Sequence, residues 1–347
     1  MNQTKGGQSL VFEEPPVIVS AASVAGSKEA EGPLGKLFDM TNQDDLFGAG
    51  TWEEAESNMQ KEACVLALGK ARVDPEEVRC LFGGDLLRQG IATSMGVEAL
   101  QIPMFGLYGA CSTSGEALAL AAMSTAAGYG KYMLAVTSSH FGSAEKEFRF
   151  PLGYASQRPL SAHWTVTGSG AFLVAPAGTD RKDAEETWHH VRIAGVTVGK
   201  IVDYGLKDSQ NMGACMAPAA MDTIVQNFED TGRNEQDYDR IITGDLGYVG
   251  QSILFDLVRG KGYDIRKIHL DCGMTIFDRE TQDTHAGGSG CGCAAVTLAS
   301  FILPKIENGE WKRVLFVPTG ALMSTVSFNE GASVPGIAHG IILEHWT

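Results

Sequence analysis

One order of elements occurs twice along this chain: strand, helix, strand, small-residue turn, apolar helix, strand. That repetition limits the possible folds more than any other feature. In the first pass, 17–22 reads as a strand, 52–71 as a helix, 78–84 as a strand and 86–100 as a helix. The run 102–108 reads as a buried strand, 117–127 as an apolar helix, and 132–137 and 168–174 as strands. In the second pass, 189–198 reads as a strand, 217–229 as a helix, 239–243 as a strand and 252–259 as a helix. A short strand at 267–271, an apolar helix at 294–303 and strands at 313–318 and 338–345 follow. Strands alternating with helices in this way predict an α/β architecture duplicated over about half the chain length. The polar stretch 178–187 reads as the linker, so the expected division is an N-terminal half at 1–180 and a C-terminal half at 188–347.

Within the first half, Thr51 with Glu54 three residues on reads as a capping box opening the 52–71 helix. Two long segments, 24–50 and 138–166, have no clean period and read as loops. Loops of that length inside a compact fold usually serve a site. The sharper signal is Gly109-Ala110-Cys111-Ser112-Thr113-Ser114-Gly115, placed where a strand gives way to a helix. Gly106, Gly109 and Gly115 let other backbone approach closely. The free N–H groups of the first helical turn favour a thiolate or a bound anion beside Cys111. Two readings of Cys111 follow: a nucleophile with a lowered pKa, or a small buried cysteine packing a tight turn.

Charge and cysteine usage exclude several classes. The chain of 347 residues carries a formal net charge of −15, which argues against binding nucleic acid or docking broadly on anionic lipid. No secretory signal is visible at 1–10, and the longest apolar run, 291–303, is too short to span a membrane. Seven scattered cysteines fit a reducing compartment better than a disulfide framework. Cys291-Gly292-Cys293 lacks the second Cys or His pair that a zinc site needs, so neither metal nor cofactor is expected of the chain itself.

The helix start at Cys111, the Thr167-Gly168-Ser169-Gly170-Ala171 strand, the Gly287-to-Gly292 loop and the duplication together resemble the thiolase and ketoacyl synthase superfamily. More narrowly, the chain resembles the stage V sporulation protein AD family. Stretches that carry this are Gly32-Pro33-Leu34-Gly35, Phe148-Arg149-Phe150-Pro151, Ser209-Gln210-Asn211-Met212-Gly213 and Ile337-Ala338-His339-Gly340. The resemblance implies a thiolase-like fold, two pseudo-duplicated βαβαβαβ halves in a layered α-β-α-β-α core. It also implies a protein that binds dipicolinic acid or its calcium chelate, for uptake in sporulation and release in germination. Its partners would be the membrane subunits of the stage V sporulation A channel complex. The protein would be cytoplasmic and peripheral to the spore inner membrane through them. Superfamily analogy adds a homodimer formed through the central sheet.

Two chemistries are open at the site. Acyl transfer in this superfamily needs a nucleophilic cysteine, a base and an oxyanion hole. Cys111 matches the nucleophile. The turn that carries a histidine in type III synthases reads Gly244-Asp245-Leu246-Gly247 here, and the second thiolase cysteine is replaced at Pro318-Thr319-Gly320-Ala321. His285 stands one residue off the usual histidine spacing, as a vestigial base or a plain loop histidine. A carboxylate at Asp245 would repel a thiolate and raise its pKa. The expected reading is therefore a non-catalytic binder, with an acyl transferase using Cys111, His285 and Asp245 as the alternative.

In the binder, Cys111, Ser112, Thr113 and Ser114 would receive a carboxylate, with Gly288 and Ser289 opposite. Arg149, Arg158 and His163 would supply charge. Phe141, Tyr154 or Trp164 would stack on the pyridine ring. His140 and Thr167 complete the expected ligand set.

Overall fold

The computed structural model describes residues 3–148, 157–179 and 190–346. Besides short strands at Thr4–Lys5, Ser9–Val11 and Met40–Thr41, the first half has β1 (Val17–Ala25), β2 (Val78–Asp85), β3 (Met104–Gly106), β4 (Tyr132–Ser139), the short β5 (Trp164–Thr165) and β6 (Gly168–Ala175). Its helices are α1 (Trp52–Ala71), α2 (Ile91–Glu98), α3 (Thr113–Ala126) and α4 (Phe141–Phe148). The second half has β7 (His190–Thr197), β8 (Arg240–Thr243), β9 (His269–Asp271), the short β10 (Gly288–Ser289), β11 (Arg313–Val317) and β12 (Gly340–Trp346). Its main helices are α5 (Met212–Thr231), α6 (Gly247–Gly260) and α7 (Cys291–Thr297). A π turn, Leu298–Ile302, carries α7 on into Leu303–Glu307.

The strand order is β9-β8-β11-β12-β7-β1-β6-β4-β2-β3. Split at the middle, each half runs first, fifth, fourth, second, third, counting its five long strands in chain order. Directions match as well. The β1–β6 and β6–β4 pairs are antiparallel, and β4–β2 and β2–β3 are parallel. The pairs β7–β12, β12–β11, β11–β8 and β8–β9 repeat that pattern. The duplication read from the sequence is thus a duplication of topology. The halves join where Val191 meets Ile18 and Arg192 meets Val17.

A shared core lies between the half-sheets. Ala117, Leu118, Ala121 and Ala122 of α3 and Ala294, Ala295 and Val296 of α7 pack with Phe172 and Val174 of β6 and Phe316 and Ile341 from the second half. Cores on the outer faces lie under α1 and under α5 and α6. The expected five-layer arrangement follows, with α3 and α7 as the middle layer.

Local signals explain the best-defined ends. The Thr51 hydroxyl accepts from the Glu54 N–H at 3.2 Å, and the Glu54 carboxylate accepts from the Gly50 N–H at 3.1 Å. Helix α5 begins five residues before the sequence reading, because Asn211 caps it by accepting from the Ala214 N–H.

Two sequence expectations need correction. The 102–108 run is not a buried strand: only Met104–Gly106 is extended, on the outer edge of the sheet, and Phe105 is 62 % exposed. Hydrophobicity alone does not tell a buried strand from an edge strand whose apolar side chains face outward. Neither long segment is one loop: a helical turn at Ser27–Ala30 and a short strand at Met40–Thr41 lie in 24–50, and α4 and β5 lie in 138–166.

The middle layer depends on close backbone approach. A Cβ on Gly292 would lie 2.4 Å from the Gly168 carbonyl oxygen and 2.6 Å from the Ser139 hydroxyl. Gly292→Ala is therefore expected to destabilise the fold by roughly 1–3 kcal/mol, the usual cost of overpacking. Urea unfolding checks this, and an unchanged midpoint would show that α7 can back away freely.

Candidate functional site

The superfamily nucleophile position is a strained elbow. Ala110 sits at φ +51, a left-handed conformation that costs a non-glycine residue about 1–3 kcal/mol. The turn is locked by its own side chains. Ser112 donates to the Gly109 carbonyl at 2.7 Å and Thr113 to the Ala110 carbonyl at 2.7 Å, while the Gly109 N–H donates to Thr113 Oγ1 at 2.9 Å. Ser112 and Thr113 are thus committed to the turn rather than presented to a ligand. Ser114 is buried with its hydroxyl unpartnered.

Cys111 is 4 % exposed, and its thiol lies beside the Asp245 carboxyl, whose charge acts on it. Asp245 follows β8, where its Oδ2 accepts from the Gly290 N–H at 2.9 Å and its Oδ1 from the Thr319 hydroxyl at 2.7 Å. Thr319 comes from the segment that replaces the second thiolase cysteine. Burial pushes the Cys111 thiol well above its usual range, and the Asp245 charge pushes it further. Burial also raises Asp245 to about 7, against the pull of its hydrogen bonds. The helix start does not make Cys111 a thiolate, because the desolvation and the carboxylate outweigh its N–H groups.

The surroundings repeat this bias. Burial holds the thiols of Cys272, Cys291 and Cys293 well above their usual range, with carboxylates adding to each. Cys291 Sγ donates to the Ser138 carbonyl at 2.8 Å. Beneath it, Glu56 accepts from Ser138 and Ser143 at 2.8 Å each, and Asp85 accepts from the Thr93 hydroxyl at 2.8 Å. Burial raises both carboxyls, Glu56 to about 8. Asp85 ends β2 as Asp245 follows β8, each within Gly-Asp-Leu. That repeated triplet was the available signal for the acidic interior, which the sequence reading did not draw.

The cavity at Cys111 has a volume of about 30 Å³, the share of a single water molecule. Its walls include Leu86, Tyr108, Phe148, Thr165, Met212, Ser289 and Met323, with no Lys, Arg or His among the described residues. Of the expected ligand set, Cys111 and Ser289 meet here, with Gly288 beside them in the β10–β5 pairing.

The other expected residues lie elsewhere. His163 is fully buried, with Nε2 3.2 Å from the Leu246 carbonyl. His285 does not line the cavity: Nδ1 is 2.9 Å from the Pro159 carbonyl and Nε2 is 3.0 Å from Asp283. It is a loop histidine, held by those contacts and by its own left-handed backbone at φ +52. His140 and Thr167 line a different cavity, near Arg158. Arg149 and Tyr154 lie outside the described residues.

Comparison with solved structures defines the class. The fold matches 3-oxoacyl-[acyl-carrier-protein] synthase III of Aquifex aeolicus, with a TM-score of 0.54, 14% identity, and coverage of 95% of this chain and 99% of that one. It also matches a variant of OleA from Xanthomonas campestris, with a TM-score of 0.62, 15% identity, and coverage of 97% and 100%. The molecule therefore has the thiolase-like fold of condensing enzymes.

Sequence narrows this further. The chain is 41% identical over 339 residues to stage V sporulation protein AD of Bacillus subtilis, covering 98% of this chain and 97% of that protein. The family model for stage V sporulation protein AD matches residues 6–344, and the chain belongs to that family.

The raised pKa of Asp245 gives stability a pH dependence. The folded state holds its proton more tightly than the unfolded chain, so this contribution is complete below about pH 4. It is lost as pH rises through about 7. Asp245→Asn, which mimics the protonated carboxyl, should shrink the fall in unfolding free energy between pH 5 and pH 8. Urea titrations at the two pH values test this, and an undiminished fall would mean that Asp245 is not held protonated.

Proposed function

We propose that this sporulation-family protein binds dipicolinate non-covalently, alone or as its calcium chelate, and does not transfer acyl groups. The observation that carries the reading is the buried Asp245 carboxyl beside the Cys111 thiol, in the turn where type III synthases have a histidine. A nucleophile needs a base or a lowered pKa. Cys111 has neither among the described residues, and its surroundings oppose the thiolate. The fold is kept while the chemistry that the superfamily built on it is displaced, which supports a binding role.

In the same reading the protein is the peripheral component of a stage V sporulation A channel complex, loading dipicolinate in sporulation and releasing it in germination. No helix of the described residues is long and apolar enough to cross a membrane, so its place at the spore inner membrane would come through membrane subunits. It works as a homodimer. Support comes from the edge strand β3, where Met104 and Phe105 are exposed, as are Tyr108 after it and Ile91 and Met95 of α2. An uncovered edge strand with apolar side chains is ready to pair with a second copy.

Calorimetric titration with dipicolinate is expected to show saturable binding that Cys111→Ser changes by no more than a few-fold. A lost neutral hydrogen bond is worth about 0.5–1.5 kcal/mol. Acyl-coenzyme A thioesters should leave no acyl mass on the Cys111 peptide. An acylated peptide, lost in the Ser variant, would establish covalent chemistry instead. Sedimentation should show a dimer that Phe105→Lys converts to monomer, and a Lys variant that stays dimeric would place the interface elsewhere.

A further inference from the structure

Helix α4 lies between two cavities. Phe141, at its start, lines a cavity of about 200 Å³ that Lys28, Trp52 and Trp164 also wall, and its ring stacks on Trp164 with centroids 4.1 Å apart. Phe148, at its end, lines the cavity of about 30 Å³ at Cys111. Among the buried residues of α4, Ala144 is the one apolar side chain, in a cluster with Leu86, Cys111 and Cys291. With so little apolar surface buried, the helix depends on polar contacts for its hold. Thr165 of β5 donates to Glu145 at 3.1 Å, and Ser143 meets Glu56 of α1 at 2.8 Å.

The Glu56 contact fits a neutral carboxyl. Gln60 Nε2 donates to Ser138 Oγ at 2.9 Å, and Ser138 donates to Glu56 Oε1 at 2.8 Å. Ser143 Oγ lies 2.8 Å from Glu56 Oε2 and 3.1 Å from the His140 carbonyl oxygen, so its one proton can go to either. With Glu56 protonated, its O–H donates to Ser143 and Ser143 donates to His140. Every hydrogen bond then runs one way, from Gln60 to the carbonyl at the start of α4.

An ionised Glu56 has no such fit. The residue is 1 % exposed, and the charges that act on it most, Asp85 of β2 and Glu53 of α1, are both negative. Asp85 is the carboxyl equipped to carry charge, since it accepts from the Leu87 N–H at 3.1 Å, the Thr93 N–H at 2.9 Å and the Thr93 hydroxyl at 2.8 Å. The other elements around Glu56 bring Ser138 of β4, Ser143 of α4 and the Cys291 thiol of α7, none of them cationic. A second buried negative charge is therefore uncompensated, and water admitted by a shift of α4 would relieve it.

We propose that α4 is a lid on the Cys111 cavity and that Glu56 is its latch: the neutral carboxyl holds Ser143 and keeps the lid shut, and loss of its proton to water lets the helix lift. Lifting α4 takes Phe148 away from a cavity that otherwise has room for about one water molecule. The device does not depend on which ligand enters. Burial and the Asp85 charge raise Glu56 to about 8, against the 4.5 of an ordinary glutamate. Closure is thus fully favoured below about pH 4.5 and is lost as pH rises through about 8. Between those values lid opening rises by up to about tenfold per pH unit.

Hydrogen exchange of the full chain tests the latch, read on the α4 peptide and corrected for the intrinsic rate at each pH. Protection of α4 should fall about tenfold or more between pH 5.5 and pH 7.5 in the wild type. Glu56→Gln, whose amide keeps both serine contacts without a charge, should hold it constant. Wild-type protection that does not change, or a Gln variant that falls as steeply, would overturn the proposal. Ser143→Ala removes the α4 end of the latch and leaves the buried carboxyls in place, so it decides the matter even if the Gln variant fails to fold. Its α4 protection at pH 5.5 should drop about three- to tenfold, and full protection there would sink the latch. Iodoacetamide reports on the lid. At pH 7.5 it should alkylate Cys111 about tenfold or more faster in the wild type than in Glu56→Gln, and equal rates would overturn the assignment of α4 as the cover of that cavity.

Discussion

The contact of α3 with α7 between the two half-sheets is the constraint on which the rest of the molecule depends. Two helices share one middle layer only if most of their facing residues are small: α3 buries Gly115, Ala117, Ala121 and Ala122, and α7 buries Cys291, Gly292, Cys293, Ala294 and Ala295. A sheet backbone carbonyl and a serine crowd Gly292 closely enough to exclude a Cβ. This packing sets the two helix starts side by side. The elbow at Cys111 and the Gly290 N–H at the start of α7 then converge on one carboxyl group, Asp245. The site is a by-product of how a duplicated α/β chain must close.

Closing that way with these residues produces an interior that favours protons over anions. Asp245, Asp85 and Glu56 are all raised by burial, and the surrounding thiols are raised with them. In such a setting a helix start is a weak attractor for negative charge, because several desolvated carboxyls compete with a few N–H groups. Here the Asp245 carboxyl beside Cys111 turns the electrostatics of the elbow against a thiolate. Burial favours the neutral carboxyl, while the Gly290 N–H and the Thr319 hydroxyl, both donors, pull Asp245 towards its ionised form.

Much of this was legible in the sequence, and the failures have physical causes. Element order, the α1 cap at Thr51 and the Cys111 turn are local properties, set by period, capping chemistry and glycine placement. The family resemblance rested on short stretches, and the match over residues 6–344 agrees with it. The edge position of β3 was not legible, because Phe105 and Met104 have the same hydrophobicity in a buried strand as on an exposed edge. The expected ligand set also mixed two places. His140, Arg158 and Thr167 were grouped with Ser112 and Ser114 because a single loop seemed to lead to one pocket. In fact α4 and β5 lie within that segment. Lys28 and Trp52 escaped notice altogether, since only the folded chain brings residues 28, 52 and 164 to one cavity.

Helix α4 and strand β5 also settle how the two cavities relate. Phe141 opens α4 at the larger cavity and Phe148 closes it at the Cys111 cavity, so seven helical steps, about 10 Å at 1.5 Å per residue, separate them. Strand β5 divides in the same sense, with Trp164 in one wall and Thr165 in the other. Successive residues of a strand point to opposite faces, so such a division needs no special device. Enlarging the Cys111 cavity to admit a ring means moving Phe148, Met212 or Met323. A movement of Phe148 carried by its helix would also displace Phe141 from Trp164. The smaller cavity therefore cannot open through α4 without disturbing the aromatic wall of the larger one.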